Sequence, residues 1–406
     1  MGSAMWIAIT GLNATSRHLD VIGNNVTNAN TMGYKAGAMY FANVLSQSLT
    51  TGSGAGSADV GQGVMIAEVA TQFTQGALES TGNNLDMAID GEGFFIVEDA
   101  ENSRFYTRAG AFHVDKDGYI IDTNAYRVQG YDYFSATPNV IGDINVRNAH
   151  SEPNATTEIR TGMNLNANTA TGGVFVSSLT VYDSLGAQHS LSITFTKNAT
   201  AGTWDFEADL DGVAATDQSA DQLVFDADGA LTSPTADVTF TFAAPANGAD
   251  IGASGVITWN IAGSTAEVVT GYASNSLVRS IHADGYPPGS LRSVSIGKDG
   301  TVSGFFTNAQ TVYLGRVMLA SFANPWGLDK IGNKLFAESV LSGQAVINAP
   351  TTEGLGSLLS NSLEQSNTDL GKEFVNMITA QRAYQACTKV VTTADQMLEV
   401  LMNIKR

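Results

Sequence analysis

Cysteine, basic side chains and long apolar runs are all scarce in this sequence. The single cysteine, Cys387, excludes an intrachain disulfide and a cysteine-rich zinc site. No apolar run reaches the roughly 18 residues that a membrane-spanning helix needs, and the N-terminus lacks the basic and apolar regions of a Sec signal peptide. The 20 Lys and Arg against 39 Asp and Glu give a net charge of −19, with no basic cluster. We therefore expect neither a nucleic-acid partner nor membrane insertion.

Charged residues are few overall, at 15% of the 406 residues, which is below the roughly 25% of a typical globular protein. Glycine is abundant, with 42 residues, and 43% of the chain is hydrophobic. This composition predicts two or three β-rich, turn-rich domains with sizeable cores. It also predicts large uncharged surfaces, which usually contact other proteins.

Sequence motifs for catalysis and for ligand binding are missing. The five histidines are isolated, and there is no G-x-S-x-G elbow and no phosphate-binding loop. The segment Asp226-Ala227-Asp228-Gly229 resembles half a calcium loop, but the fifth position is Ala230, so a β-turn is the better interpretation. We therefore predict a protein that is not an enzyme, without catalytic residues, cofactor or metal.

Apolar residues spaced by seven predict a long C-terminal helix. The first positions of this seam are Leu363, Leu370, Met377, Tyr384, Val391 and Leu398. The second positions are Ala380, Cys387, Ala394 and Leu401. Capping residues lie near Ser366-Asn367-Thr368-Asp369, and neither Gly nor Pro interrupts 372–406. A helix of about 40 residues is about 60 Å long, so it needs a partner outside a compact domain.

A shorter amphipathic pattern at the N-terminus offers that partner. Its apolar positions are Met5, Ile9, Leu12, Leu19, Ile22 and Val26. The pattern predicts a helix that ends at Gly23-Asn24-Asn25 and that pairs with the C-terminal helix and with other copies as a coiled coil. The asparagines Asn24, Asn25, Asn28 and Asn30 have two interpretations, a helix stop with a turn or a fixed hydrogen-bonding linker to a β domain.

The chain between these helices is predicted to be β-structure. Six Asp-Gly dipeptides, which favour hairpin turns, punctuate it, and residues 191–196 and 238–242 alternate between apolar and polar. Residues 50–63 are Gly- and Ser-rich, which is typical of a flexible loop.

The middle of the chain is the most acidic part. Residues 147–281 hold 14 acidic and four basic side chains, a net charge of −10. This predicts a separate all-β insertion that faces water, built as one domain or two. Within it Asp205, Glu207, Asp209 and Asp211 alternate along one strand, where a solvated face is favoured over a ligand site.

Three sequence blocks resemble the bacterial flagellar rod and hook protein family. The first is 23–35, GNNVTNANTMGYK, which contains the four asparagines together with Gly33, Tyr34 and Lys35. The second comprises 85–95 and 106–110, and the third comprises 366–370 and 375–385. The insertion at 147–281, with 283–289 and 320–324, is similar to the hook members in particular, because rod members lack a large insertion.

The resemblance implies a mainly β fold with terminal α-helices. Its parts are an inner coiled-coil domain (1–30 and 364–406), a connecting segment (31–70), a middle β domain (71–146 and 282–363) and an inserted outer β domain (147–281). It implies a subunit that self-assembles into the hook, the flexible curved tube that transmits torque from rod to filament as a universal joint. The alternatives are another axial protein, either distal rod or hook–filament junction, and a secreted calcium-dependent β-rich adhesin.

The resemblance also implies partners and a location. The partners are further copies of the chain, the distal rod protein, the hook cap protein, the hook–filament junction protein and the flagellar type III export apparatus. The location is the extracellular hook of the flagellum, reached without a Sec signal peptide. The seam residues are expected to drive assembly, and the residues of the first block to form the linker.

Overall fold

A computed structural model describes residues 2–45, 47–49, 58–134, 140–147, 149–245, 247–261 and 267–404. The fold is mainly β with one α-helix at each end, α1 (Gly2–Thr27) and α2 (Leu370–Ile404), which confirms the predicted fold class at this level. Residues 50–57 of the predicted flexible loop lie outside the described part. Neither helix combines the length and apolar character that crossing a bilayer requires, as far as the described residues go.

The chain divides into two compact units. The terminal unit comprises Met1–Ala149, Val294–Gly304 and Tyr313–Arg406, and the central unit comprises His150–Ser293 and Phe305–Val312. The predicted four-part domain division remains a prediction.

The central unit contains two β-sheets around one hydrophobic core. Its strands are Glu158–Asn164, Val174–Tyr182, Gln188–Lys197, Thr203–Leu210, Val213–Ala214, Asp217–Gln218, Gln222–Phe225, Leu231–Ser233, Val238–Thr241, Val256–Asn260, Val269–Thr270 and Leu277–Ala283. The longer strands alternate buried and outward-facing residues, so the apolar residues of both sheets meet in the same core. Trp204, Phe206, Phe240 and Trp259 are the large buried side chains at its centre.

The terminal unit contains one large sheet and several two-stranded ones. Its strands are Gly37–Asn43, Gln47–Leu49, Ala58–Val60, Val64–Thr71, Leu78–Ser80, Met87–Asp90, Phe94–Glu98, Arg104–Thr107, His113–Val114, Ile120–Ile121, Arg127–Asp132, Ile141–Asp143, Leu319–Ser321, Asp329–Gly332, Leu335–Ala337, Val346–Asn348, Ser357–Ser360 and Ser362–Glu364. Residues of three further strands are divided between the units: Leu291–Ile296, Thr301–Phe306 and Thr311–Val317. A 3₁₀ turn covers Pro325–Gly327.

The segment predicted to be only a connection is partly folded. Gly37–Asn43 pairs antiparallel with Val64–Thr71, and both strands contact α1. The pairing joins the backbones of the two strands, whereas their large apolar side chains are 37–55% exposed: Tyr40, Phe41, Met65, Ile66 and Val69.

Turn chemistry follows the sequence prediction at most Asp-Gly sites. Five of the six glycines have positive φ, the region that favours glycine, and Gly285 is the exception. Asp211 and Gly212, with φ of 53° and 81°, join Thr203–Leu210 to Val213–Ala214. Asp226 Oδ1 accepts the Asp228 and Ala230 N–H groups at 3.0 and 2.8 Å, which confirms the turn.

The predicted end of α1 and the assignment of Leu363 to the helical seam are wrong. Helix α1 continues past Gly23 to Thr27, because Gly23 keeps helical backbone and the Asn28 N–H still donates to the Asn24 carbonyl. Leu363 is not part of the helical seam. It lies buried in the strand Ser362–Glu364, which pairs with Leu78–Ser80, and the helix begins only at Leu370.

Candidate assembly helices and the junction of the chain ends

Helix α2 begins where the sequence places its capping residues. Asp369 Oδ1 accepts the N–H groups of Gly371 and Lys372 at 2.8 and 3.1 Å, which satisfies two of the donors left free at a helix start. The predicted capping position is therefore confirmed.

Small residues line the contact between α1 and α2. The two helices pack against each other, and α2 buries only small residues, Ala380 and Ala394, among its described side chains. Helix α1 buries Ala8 and Ala14, and nearer its end also Ile22 and Asn25. At Gly11 a Cβ atom would lie only 3.1 Å from Cys387 Sγ, so the helices approach closely at this point. Close approach leaves little room for large side chains in this contact.

The large seam residues therefore lie at the margins of the helix contact. Leu12, Leu19 and Val26 are half-buried in α1, and Met377 and Val391 are half-buried in α2. Leu370, Tyr384 and Leu398 are between 36% and 42% exposed. Their role in assembly remains a prediction.

A second apolar face of α2 points away from α1. Its residues are each at least 46% exposed, and they are Phe374, Val375, Ile378, Val390, Met397 and Val400. The seven-residue spacing does not indicate this face, because it singles out one seam. A helix with apolar residues on both sides usually has a second partner.

Asn25 fixes the chain as it leaves α1. Its side-chain oxygen accepts the Gly37 N–H at 2.9 Å and the Tyr34 hydroxyl at 3.2 Å, and its amide donates to the Gly37 carbonyl at 2.8 Å. Burial raises the pKa of the Tyr34 hydroxyl, and the Glu373 carboxylate adds to the effect. The buried Asn25 thus couples the helix end to the start of the first strand.

The other asparagines of the first block are placed differently. Asn28 donates to both the carbonyl and the side-chain oxygen of Asn24 at 2.9 Å, and it pairs with Thr31. Asn30 is exposed. These three residues lie at the helix end and in the turn after it.

A buried ion pair joins the two ends of the chain. Lys35 Nζ lies 2.6 Å from Glu364 Oε1, and Arg108 Nη1 lies 3.5 Å from Glu364 Oε2. Lys35 also donates to the Thr74 carbonyl, and the Gly76 N–H donates to Glu364. Burial lowers the pKa of both cations, against the opposing attraction of Glu364.

Backbone contacts complete this junction. The Gly33 N–H donates to the Glu364 carbonyl at 2.7 Å, and Gly33 has φ of +70°. A Cβ atom at Gly33 would lie 2.6 Å from the Ala109 nitrogen, so only glycine fits. The Asn367 amide donates to the Gln72 and Thr74 carbonyls, and its oxygen accepts the Ala36 N–H.

The junction brings the first and third sequence blocks together. Gly33 and Lys35 of the first block belong to it, whereas Tyr34 contacts Asn25 and no sequence signal marks Glu364. Its partner is 329 residues away, and an isolated acidic residue carries no spacing that could indicate such a contact.

In the central unit a histidine contacts two aspartates that no sequence pattern links to it. His189 Nδ1 lies 2.7 Å from Asp211 Oδ2, and its Nε2 lies 3.3 Å from Asp183 Oδ2. Asn247 also donates to Asp183. Burial lowers the pKa of His189, but the hydrogen bonds to Asp211 and Asp183 outweigh burial, and the pKa is raised overall.

Four family models match separate parts of the chain. "Flagella basal body rod protein" matches residues 5–35, and "Flagellar basal body rod FlgEFG protein C-terminal" matches 359–404. "Flagellar hook protein FlgE/F/G D1 domain" matches 88–164, and "Flagellar basal body protein FlaE D2 domain" matches 148–286. The first two contain the terminal helices and parts of the junction.

Several curated proteins are similar over their whole length. The flagellar hook protein FlgE of Escherichia coli K12 is 34% identical, covering 98% of this chain and 99% of the relative. FlgE of Treponema pallidum is 30% identical over the full length of both. Among solved structures, the Helicobacter pylori flagellar hook protein FlgE2 is 15% identical with a TM-score of 0.48, covering 71% of this chain and all of that chain.

Proposed function

Because this chain belongs to the flagellar hook protein family, we propose that it is the structural subunit that self-assembles into the flagellar hook. The hook is the flexible curved tube that transmits torque from rod to filament as a universal joint. The relatives matched along their whole length are named hook proteins, which favours this function over a distal-rod or a hook–filament junction protein. Family membership supports a structural role rather than an enzymatic one.

The exposed apolar face of α2 is the observation that carries self-assembly. One side of α2 packs on α1 through small residues, and the other side leaves Phe374, Val375 and Ile378 in water. Burying one such side chain contributes about 1.5–3 kcal/mol. Neighbouring copies supply that burial in a tube whose wall contains the helices, so α1 and α2 form a coiled-coil inner domain that is completed by other subunits.

The four-part domain division is part of this proposal. The inner domain comprises 1–30 and 364–406, and 31–70 connects it to a middle β domain of 71–146 and 282–363. The outer domain, 147–281, is inserted in the chain. The Lys35–Glu364 pair supports a firm attachment between these parts, since it lies where the connecting segment meets the C-terminal segment.

The subunit's partners and location follow from the family. We place it in the extracellular hook, between the distal rod protein and the hook–filament junction protein, with the hook cap protein as a further partner. It leaves the cell through the flagellar type III export apparatus without a Sec signal peptide.

Electron microscopy of the full chain at polymerising salt tests this proposal. The wild type should form curved tubes, and Ile378→Asp should raise the critical concentration about 10- to 100-fold, because one apolar side chain can no longer be buried. Ile378→Leu is the matched control, since it keeps the apolar area, and circular dichroism checks that the helix persists. A wild type that stays monomeric, or an Ile378→Asp variant that polymerises normally, contradicts the proposal.

A further inference from the structure

The solvent-facing side chains of one sheet in the central unit change from uncharged to acidic across the sheet. The strands Val174–Tyr182, Gln188–Lys197 and Thr203–Leu210 lie side by side, and partners in register share a face. The outward rows are Val174–Thr196–Asp205, Val176–Thr194–Glu207 and Ser178–Ser192–Asp209. Each row therefore runs from an uncharged edge through hydroxyl groups to a carboxylate.

The edge strand lacks the usual protection of an exposed edge. Val174–Tyr182 pairs only with Gln188–Lys197 in the described part of the chain, apart from the contact of Tyr182 with Thr156 at its end. The strand contains neither proline nor a charged residue, the devices that normally keep sheet edges from pairing. Val174 and Val176 are 61% and 52% exposed.

A second strand extends this surface with further apolar residues. Leu277–Ala283 contacts Val174–Tyr182 and exposes Leu277 and Ile281. Between them lies Arg279, a basic residue, which donates to the Val268 carbonyl. We call the four exposed residues Val174, Val176, Leu277 and Ile281 the apolar edge.

The charge distribution of the central unit indicates which partner this edge contacts. Residues 147–281 carry a net charge of −10, so the central units of two copies repel each other over most of their surface. Residues 161–182, which include the edge strand, contain no charged side chain. The carboxylates of Asp205, Glu207 and Asp209 lie two strands from the edge, about 10 Å away. This distance is comparable with the Debye length of about 8 Å at physiological salt, so an approach at the edge is largely screened from them.

We propose that the apolar edge is the surface through which the central unit contacts a second copy of this chain. The inference rests on the proposed function, because it places the contact in the polymer. The carboxylates of Asp205, Glu207 and Asp209 stay in water, and the apolar edge, which contains no carboxylate, is where like-charged copies approach.

Thiol labelling of the full chain locates this contact. Cys387→Ser removes the single native thiol, Val176→Cys places a new one on the apolar edge, and Glu207→Cys is the matched control on the same sheet. Both new thiols should react rapidly with a maleimide in monomers. In polymers Val176→Cys should react at least about tenfold more slowly, since labelling must wait for the contact to open, and Glu207→Cys should be unchanged.

A second pair of variants tests the charge argument. Val176→Glu should raise the critical concentration for polymerisation at low salt. Thr194→Glu adds the same charge one strand inward, so it should raise the critical concentration less. Fluorescence of Trp204 and Trp259 reports whether the central unit stays folded. Wild-type tubes with rapid labelling at position 176, or equal effects of both charges, overturn this inference alone. Absence of wild-type tubes overturns the proposed function and this inference with it.

Discussion

Replacement of Glu364 by glutamine perturbs the junction that holds the two chain ends together. The change keeps the shape and an acceptor for the Gly76 N–H, but it removes the negative charge between Lys35 and Arg108, whose side chains are at most 2% exposed. Removing one partner of a buried ion pair costs about 3–5 kcal/mol, because the remaining charge is left uncompensated. Two cations remain here, so we expect the upper part of that range.

The two units can be followed separately during unfolding in urea. Both α-helices belong to the terminal unit, so helical circular dichroism reports on that unit. Trp204 and Trp259 are buried in the central unit, whereas Trp6 and Trp326 are already exposed. Glu364→Gln should lower the free energy of unfolding measured by circular dichroism and leave the tryptophan transition in place.

Glu79→Gln is the matched control for this measurement. Glu79 lies opposite Leu363 in the paired strand, is exposed, and accepts the Gln365 side-chain amide at 2.6 Å. Loss of the Glu79 charge should lower the free energy of unfolding by less than about 1 kcal/mol, as for other surface charges. Adding Lys35→Met to Glu364→Gln should recover part of the stability, because one uncompensated cation disappears. A Glu364→Gln variant as stable as the control would refute the reasoning.

Three further changes have defined outcomes. Asp369→Ala removes the cap of α2 and should lower the free energy of unfolding, measured by circular dichroism, by about 1 kcal/mol. Gly33→Ala forces a Cβ against Ala109 and should prevent the Gly33–Glu364 hydrogen bond, which loss of amide protection at residue 33 would reveal. His189 has a raised pKa, so its stabilisation is full below about pH 6.5 and is lost as pH rises through the folded-state pKa. The urea concentration at the midpoint of the tryptophan fluorescence transition should therefore fall as the pH rises, and it should fall less in His189→Gln than in wild type. His113→Gln, which changes an exposed histidine, is the control.

Local patterns were sufficient to predict the helices, the hairpin turns and the alternating strands. Asp369 caps α2 and Asp211-Gly212 forms a hairpin turn, because both signals depend on residues within a few positions of each other. The resemblance of three blocks indicated the family, which the whole-length relatives then showed.

Contacts between distant parts of the chain were not predictable in this way. Glu364 acquires its role only when folding brings it to Lys35, and His189 acquires its role from Asp183 and Asp211, which hairpin turns place on either side of the ring. No spacing in a single sequence marks such partners. The start of the seam was wrong for a related reason, since the pairing of Leu363 with Glu79 keeps that residue in a strand.

The helix faces show why a subunit of a polymer is harder to interpret than a monomer. In a monomer one apolar stripe marks the core, so the largest seam residues are expected to be the most buried. In α2 the most buried residues are Ala380 and Ala394, whereas Phe374 and Ile378 remain exposed on the other side. One apolar face contacts α1 within the chain, and the proposed function assigns the other face to contacts between chains. A seven-residue spacing identifies such a helix, but the size of its side chains decides which face can approach α1 closely.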